Sequence, residues 1–224
     1  MAKITGPSIE AAGGKAEQLV ILCHGYGADG NDLIGLAPHW QRLLPNAAFI
    51  SPNAPQRCDA GFGYQWFPIS RLDPAELMRG VESAAGTLND FIDEELARRG
   101  LDDAKLALVG FSQGTMMSLH VGLRRAHAPA AIVGYSGALA GGDRLKGELK
   151  GRPPVLLVHG DADEMLPVSR MHDAVRVLAE AGISVQWHVA HGVGHGIDPE
   201  GLELGGRFLR DAFAGAFAGA ATGD

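Results

Sequence analysis

The sequence predicts an α/β fold built on a largely parallel sheet. Three observations carry that prediction: apolar runs of strand length, helical patterns between them, and the alternation of the two along the chain. The runs cover residues 19–23, 47–51, 106–110, 131–135 and 155–159, and their apolar residues are contiguous rather than alternating. Contiguity is expected of strands covered on both faces. Residues 184–189 alternate and add a further strand.

Helical patterns at residues 32–44, 74–99, 113–125 and 168–181 separate most of the strands. Asp73 before Pro74 is a good N-cap followed by a helix-compatible proline, and Glu76 in the third helical position completes a capping box. Asp198, Pro199 and Glu200 repeat part of that signal before a last helix over residues 202–213. The Ala- and Gly-rich tail beyond it is expected to fray. Residues 51–73 form a long Pro- and Gly-rich segment carrying Phe62, Tyr64, Trp66 and Phe67. Loops of that length usually serve a function.

With 224 residues and 46% hydrophobic content, the chain suits one domain over residues 1–224, with 1–16 and 214–224 loosely held. A formal net charge of -7 argues against a large basic surface, and so against nucleic acid or anionic lipid as partners. Cys23 and Cys58 form neither a disulfide framework nor a CxxC metal pattern, which predicts reduced thiols and a cytoplasmic location. No secretory apolar segment opens the chain, and no apolar run nears the ~18–20 residues that span a bilayer, so no stable membrane insertion is expected.

Gly110-Phe111-Ser112-Gln113-Gly114 directly follows a strand and precedes a helix. This is GxSxG in the strand–turn–helix context of a nucleophile elbow, which predicts an α/β-hydrolase fold with Ser112 exposed on a strained turn. A helix-capping serine is the alternative. As nucleophile, Ser112 would have the Gln113 N–H beside it at a helix N-terminus as an oxyanion donor. The glycines of His24-Gly25-Tyr26-Gly27, after the first strong strand, make the Tyr26 N–H the second donor.

A serine nucleophile in this fold is followed in the chain by its acid and then its histidine. His159-Gly160-Asp161-Ala162-Asp163 follows a strand and offers two carboxylates, of which Asp163 has the longer reach along the loop. His195, flanked by Gly194 and Gly196 after the last strand, is the favoured base, and His191 is its competitor. Trp66 and Phe67 are candidate substrate-binding residues lining an acyl pocket, as well as candidates for a cluster that pins the loop.

Rival readings are weaker. Residues 25–30 also satisfy GxGxxG, yet Ser51-Pro52-Asn53 stands where a dinucleotide site expects an acidic residue. His188, His191 and His195 lack the spacing of a zinc site. A non-catalytic binding protein on the same scaffold is the remaining alternative, since fold alone does not guarantee chemistry.

The segments LVILCHGYGADGND, PNAPQ, GYQWF, VGFSQG, HGDADEMLPV and GVGHGID, taken in order, resemble the phospholipase/carboxylesterase family that includes acyl-protein thioesterases. The resemblance spans nearly the whole chain. It implies a compact α/β-hydrolase with a largely parallel central sheet flanked by helices and no large cap domain. Carried over by motif, it implies Ser112 as nucleophile, Asp163 as acid, His195 as base, and the Tyr26 and Gln113 backbone as oxyanion donors. It further implies hydrolysis of a small-molecule carboxylic ester or thioester by a monomer or homodimer, with acyl-protein thioesterase or lysophospholipase activity as the alternative, and an acyl-enzyme mechanism needs no metal or organic cofactor. The GYQWF segment is more similar to bacterial carboxylesterases than to protein-depalmitoylating enzymes. Thr115 stands where the family more often has glycine, a departure expected to matter little for the chemistry.

Overall fold

The computed structural model describes residues 3–59 and 61–217. In chain order the elements are β1 (Ser8–Ile9), β2 (Gln18–Cys23), α1 (Gly30–Ile34), α2 (Ala37–Trp40), β3 (Ala47–Ile50), β4 (Gln56–Arg57), β5 (Tyr64–Gln65) and α3 (Pro74–Arg99). They continue with β6 (Leu106–Phe111), α4 (Gln113–Gly122), β7 (Ala131–Tyr135), α5 (Gly142–Glu148), β8 (Val155–Gly160), α6 (Ser169–Glu180), β9 (Val185–Ala190) and α7 (Pro199–Phe213). Seven strands form one sheet in the order β1-β3-β2-β6-β7-β8-β9, parallel except for β1, and β4 and β5 form a small hairpin.

The contiguous apolar runs have a direct structural cause. Along β2, Leu19, Ile21 and Cys23 pack into a core beneath α3 and α4, while Val20 and Leu22 pack into a second core beneath α1, α2 and α7. In β6, Leu106 and Leu108 take the first side and Ala107 and Val109 the second. A third cluster joins Ile132, Val155 and Leu157 to Met171, Ala174 and Leu178 of α6. Each fully buried Leu or Ile contributes roughly 1.5–3 kcal/mol over its exposed state, which is why these strands tolerate so few polar residues.

The parallel direction positions the site. The C-terminal ends of β2, β6, β8 and β9 lie on one side of the sheet, so the loops leaving Cys23, Phe111, Gly160 and Ala190 meet there, as ligand-binding loops do in open α/β sheets.

Several expectations need correction. The helical pattern at 32–44 breaks into α1 and α2, because Gly35 closes the first and Pro38 fits without loss only in the opening turn of the second. The Glu76 side chain does not complete a capping box; it accepts from the Ser70 N–H at 2.8 Å, the Ser70 hydroxyl at 2.6 Å and the Arg71 N–H at 2.6 Å. Asp73 alone caps α3, accepting from the Ala75 and Glu76 N–H groups at 3.0 Å. The first sixteen residues are tied down where they are described: β1 pairs with β3, and the Pro7 and Thr5 carbonyls accept from Ser51 and Asn53 at 3.0 and 2.9 Å. Phe217, in the stretch expected to fray, stacks on Phe208 with ring centroids 4.9 Å apart, and residues 218–224 lie outside the described residues.

Candidate active site

Ser112 sits alone between the last residue of β6 and the first of α4, at φ 53° and ψ -116°. A non-glycine residue held there carries strain of order ~1–3 kcal/mol, which the surroundings must over-determine. Its N–H donates to Tyr135 O at 2.9 Å, and its carbonyl accepts from Thr115 and Met116 at 3.0 and 3.3 Å. The turn is closed so tightly that a Cβ on Gly110 would come within 2.3 Å of the Gly114 backbone, and one on Gly114 within 1.8 Å of Cys23 O. The two motif glycines are therefore steric necessities. Thr115 is buried and its hydroxyl lies 2.8 Å from Gly110 O and 2.9 Å from Tyr135 O, tying the turn to β7.

The loop after β2 forms the neighbouring wall. Gly25 lies against the turn, since a Cβ on it would stand 3.4 Å from the Ser112 Cβ. Among the described residues neither the Tyr26 nor the Gln113 backbone N–H has a protein acceptor, so both remain available to an incoming oxygen. Gly30, the last glycine of the GxGxxG stretch, is packed on β3: a Cβ there would meet Ser51 O at 2.0 Å. The stretch serves close packing, not a phosphate cradle.

The acid and the histidine come from the loops after β8 and β9. Asp163 Oδ2 is 2.7 Å from His195 Nδ1, while Oδ1 accepts from the Met165 and Leu166 N–H groups at 2.9 Å each. Burial works to raise the Asp163 carboxyl, but the Leu166 N–H, His195 and the Met165 N–H outweigh it and hold the pKa below the usual aspartate value. The carboxylate is thus ionised at neutral pH and fixes the imidazole with Nδ1 as donor. The His195 ring stacks beside Phe111, the residue before Ser112, at 4.9 Å between centroids. Ser136 steadies the same loop by donating to Gly196 O at 3.2 Å.

The two competitors pair with each other. Asp161 Oδ2 lies 2.8 Å from His191 Nδ1, and Asp161 Oδ1 accepts from the Gly192 N–H at 2.7 Å. Of the three histidines weighed for zinc, His195 pairs with Asp163 and His191 with Asp161, while His188 Nε2 only approaches Glu200 at 3.9 Å.

Trp66 and Phe67 are fully buried in the core that includes Leu77 and Val81, and so present no open wall in this conformation. Of the two roles set out for them, the structure displays the pinning one. The buried Gln113 side chain receives the Trp66 N–H at 2.9 Å and donates to Phe67 O at 2.7 Å, clamping the long loop to the helix behind the serine. Sequence reading missed this use of the glutamine amide. It also missed His159, whose Nε2 donates to Leu166 O at 2.7 Å and lies 3.2 Å from Asp163 Oδ2. The HGDAD motif contained that histidine, but no local pattern indicates that its ring turns back onto the acid loop. Phe62, one of the aromatics of the long loop, is well exposed near Gly27, and Met165, two residues beyond Asp163, is also well exposed, an exposed apolar residue that carries no sequence signal.

The sheet and these four converging loops define an α/β-hydrolase. The family model described as Phospholipase/Carboxylesterase matches residues 4–212, and the chain belongs to that family of serine ester hydrolases. Acyl-protein thioesterase 1 of Gibberella zeae is 29% identical over 91% of this chain and 94% of its own length. Acyl-protein thioesterase 1 of Neurospora crassa is 30% identical over 86% of this chain and 85% of its own length. The crystal structure of esterase PE8 superposes with a TM-score of 0.91 at 41% identity, covering 94% of this chain and 100% of that one.

Proposed function

We propose that the protein is a carboxylesterase working through an acyl-enzyme. Ser112 Oγ attacks the ester carbonyl carbon as the His195 imidazole takes its proton, and Asp163 holds the imidazole and stabilises its charged form. The carbonyl oxygen, now negative, receives the Gln113 N–H at the N-terminus of α4 and the Tyr26 N–H from the loop after β2. Collapse of this intermediate breaks the bond to the leaving alcohol, which departs with the proton from His195. Water, deprotonated by the same imidazole, then attacks the acyl carbon and releases the acid and Ser112.

The observation that carries this reading is the buried Asp163 carboxylate 2.7 Å from His195 Nδ1, with that ring set beside the strained Ser112 turn. Exposed Phe62 and Met165 offer apolar surface for the acyl group at the mouth. A second reading, thioester cleavage, is favoured by the names of the fungal relatives and uses the same groups with a thiol leaving. Two free buried cysteines fit a cytoplasmic setting. No helix among the described residues is long and apolar enough to cross a membrane.

The test is hydrolysis of p-nitrophenyl esters from acetate to palmitate, and of the matching acyl thioesters, by the wild type and Ser112→Ala. Wild-type turnover lost by about 10³-fold or more in Ser112→Ala supports the mechanism. The substrate class with the higher kcat/KM then decides between ester and thioester, and unchanged turnover in Ser112→Ala overturns the reading.

A further inference from the structure

We infer that His24 is the positioning residue of the oxyanion site, holding the Gly25–Tyr26 peptide so that the Tyr26 N–H is presented to the reacting carbonyl. The inference rests on the serine-esterase reading above and adds a residue to it that makes no contact with the reacting atoms.

The His24 ring is buried and both nitrogens are used. Nδ1 lies 2.7 Å from Gly25 O, and Nε2 accepts the Ala54 N–H at 2.9 Å. An acceptor at Nε2 and a carbonyl at Nδ1 allow only one arrangement: the proton sits on Nδ1 and the ring is neutral. Burial, only partly offset by the bond to Gly25, holds the ring's pKa below the usual histidine value and keeps this form.

The consequence follows from the geometry of one amide. Gly25 O and the Tyr26 N–H belong to the same planar trans peptide, so they point in opposite directions. With the carbonyl fixed by His24 Nδ1, and supported by the Ala28 N–H at 3.3 Å, the N–H is turned to the other side and left without a protein acceptor among the described residues. A rotated peptide would offer a carbonyl dipole to the developing oxyanion in place of a donor. The rest of the loop is pinned on either side, with Trp66 Nε1 donating to His24 O at 3.1 Å and the Gly27 N–H to Tyr64 O at 2.9 Å. The Gly25–Tyr26 peptide is the element left for His24 to set.

Two substitutions separate the ring's two bonds. In His24→Asn the carboxamide nitrogen stands near the place of Nδ1, keeping the donor to Gly25 O and losing the acceptor for Ala54. In His24→Gln the carboxamide oxygen reaches the place of Nε2, keeping the Ala54 bond and losing the donor to Gly25 O. Losing a whole oxyanion donor costs about 10²–10³ in kcat, so a misdirected one is expected to cost roughly 10–100-fold. His24→Gln should lose that factor in kcat with KM within about twofold, whereas His24→Asn should stay within about fivefold of wild type.

The same variants are to be titrated with a trifluoromethyl ketone, whose hemiketal oxyanion on Ser112 occupies the same place. Its affinity should fall in His24→Gln in parallel with kcat/KM, which loss of packing alone would not produce. The proposal is overturned if His24→Gln keeps kcat within threefold, or if both variants lose kcat in step with their melting temperatures. If His24→Gln does not fold, His24→Asn decides alone: retained kcat supports the proposal, and lost kcat in a folded protein overturns it. Ser112→Ala assayed alongside keeps the two readings apart. An inactive Ser112→Ala with a normal His24→Gln sinks only the His24 role, whereas an active Ser112→Ala sinks the serine mechanism itself.

Discussion

Two aspartate–histidine pairs bridge the same two loops, the ones that follow β8 and β9. Asp163–His195 closes at 2.7 Å and Asp161–His191 at 2.8 Å, so distance does not separate them. Surroundings do. The Asp163 side chain is fully buried and that of His195 is 15% exposed, against 36% for Asp161 and 85% for His191. Asp163 also takes two backbone N–H groups from its own turn, and the His195 ring lies against Phe111 beside the serine. Asp161 instead accepts the Gly192 N–H and staples the loop on which His195 is carried. An offset of two residues on the acid loop and four on the histidine loop separates a buried pair from an exposed brace: low dielectric and fixed donors strengthen the inner pair, and water screens the outer one.

The largest expected effect falls on the bases. His195→Gln should lower kcat by about 10³-fold or more, as removal of a triad member does, while His191→Gln should remain within about threefold. Steady-state ester hydrolysis at pH 7.5 checks both, and equal losses would erase the distinction between the pairs. The acids come next. Asp163→Asn should cost about 10²–10⁴-fold in kcat by leaving the imidazole in the wrong tautomer. Asp161→Asn should act mainly through the loop, with a small rise in KM and little change in kcat.

A smaller effect sharpens the comparison in stability. The Asp163 pKa is lowered on folding, so its contribution is fully present above the unfolded value of about 3.9 and is lost as pH falls through the folded value. Denaturant unfolding at pH 7 and pH 3 should show this acid loss in the wild type, clearly diminished in Asp163→Asn and less so in Asp161→Asn, whose carboxyl is also held below the usual value by His191 and the Gly192 N–H but is more exposed and screened by water. The smallest catalytic effect is expected on the serine side. Thr115→Val leaves Gly110 O and Tyr135 O short of a buried donor and should cost about 1–3 kcal/mol of stability. Its kcat, measured well below the melting temperature, should change by no more than a few-fold, because the Ser112 N–H still holds Tyr135 O.

The inner and outer pairs also mark the limit of what the sequence disclosed. The strands were legible because burial on both faces leaves contiguous apolar runs, and the start of α3 because Asp73 caps it directly before Pro74. Both acids and both histidines stood out by order and by neighbouring glycines. Which acid meets which histidine depends on how far β8 and β9 extend beyond β6, and local spacing supports only an argument from reach. The two-residue strands β1, β4 and β5 show no period at all. Buried Trp66 and Phe67 were ambiguous because an aromatic segment reads alike as pocket wall or as anchor. The partner that fixes them, the Gln113 amide, is 46 or 47 residues away in the chain.

The most direct measurement is the pre-steady-state burst of p-nitrophenol from p-nitrophenyl acetate for the wild type, Asp163→Asn and Asp161→Asn, with Ser112→Ala as the blank. The inner pair serving Ser112 predicts wild-type acylation in Asp161→Asn, acylation at least about 100-fold slower in Asp163→Asn, and no burst in Ser112→Ala. A slow Asp161→Asn beside a normal Asp163→Asn, or a full burst from Ser112→Ala, would contradict it.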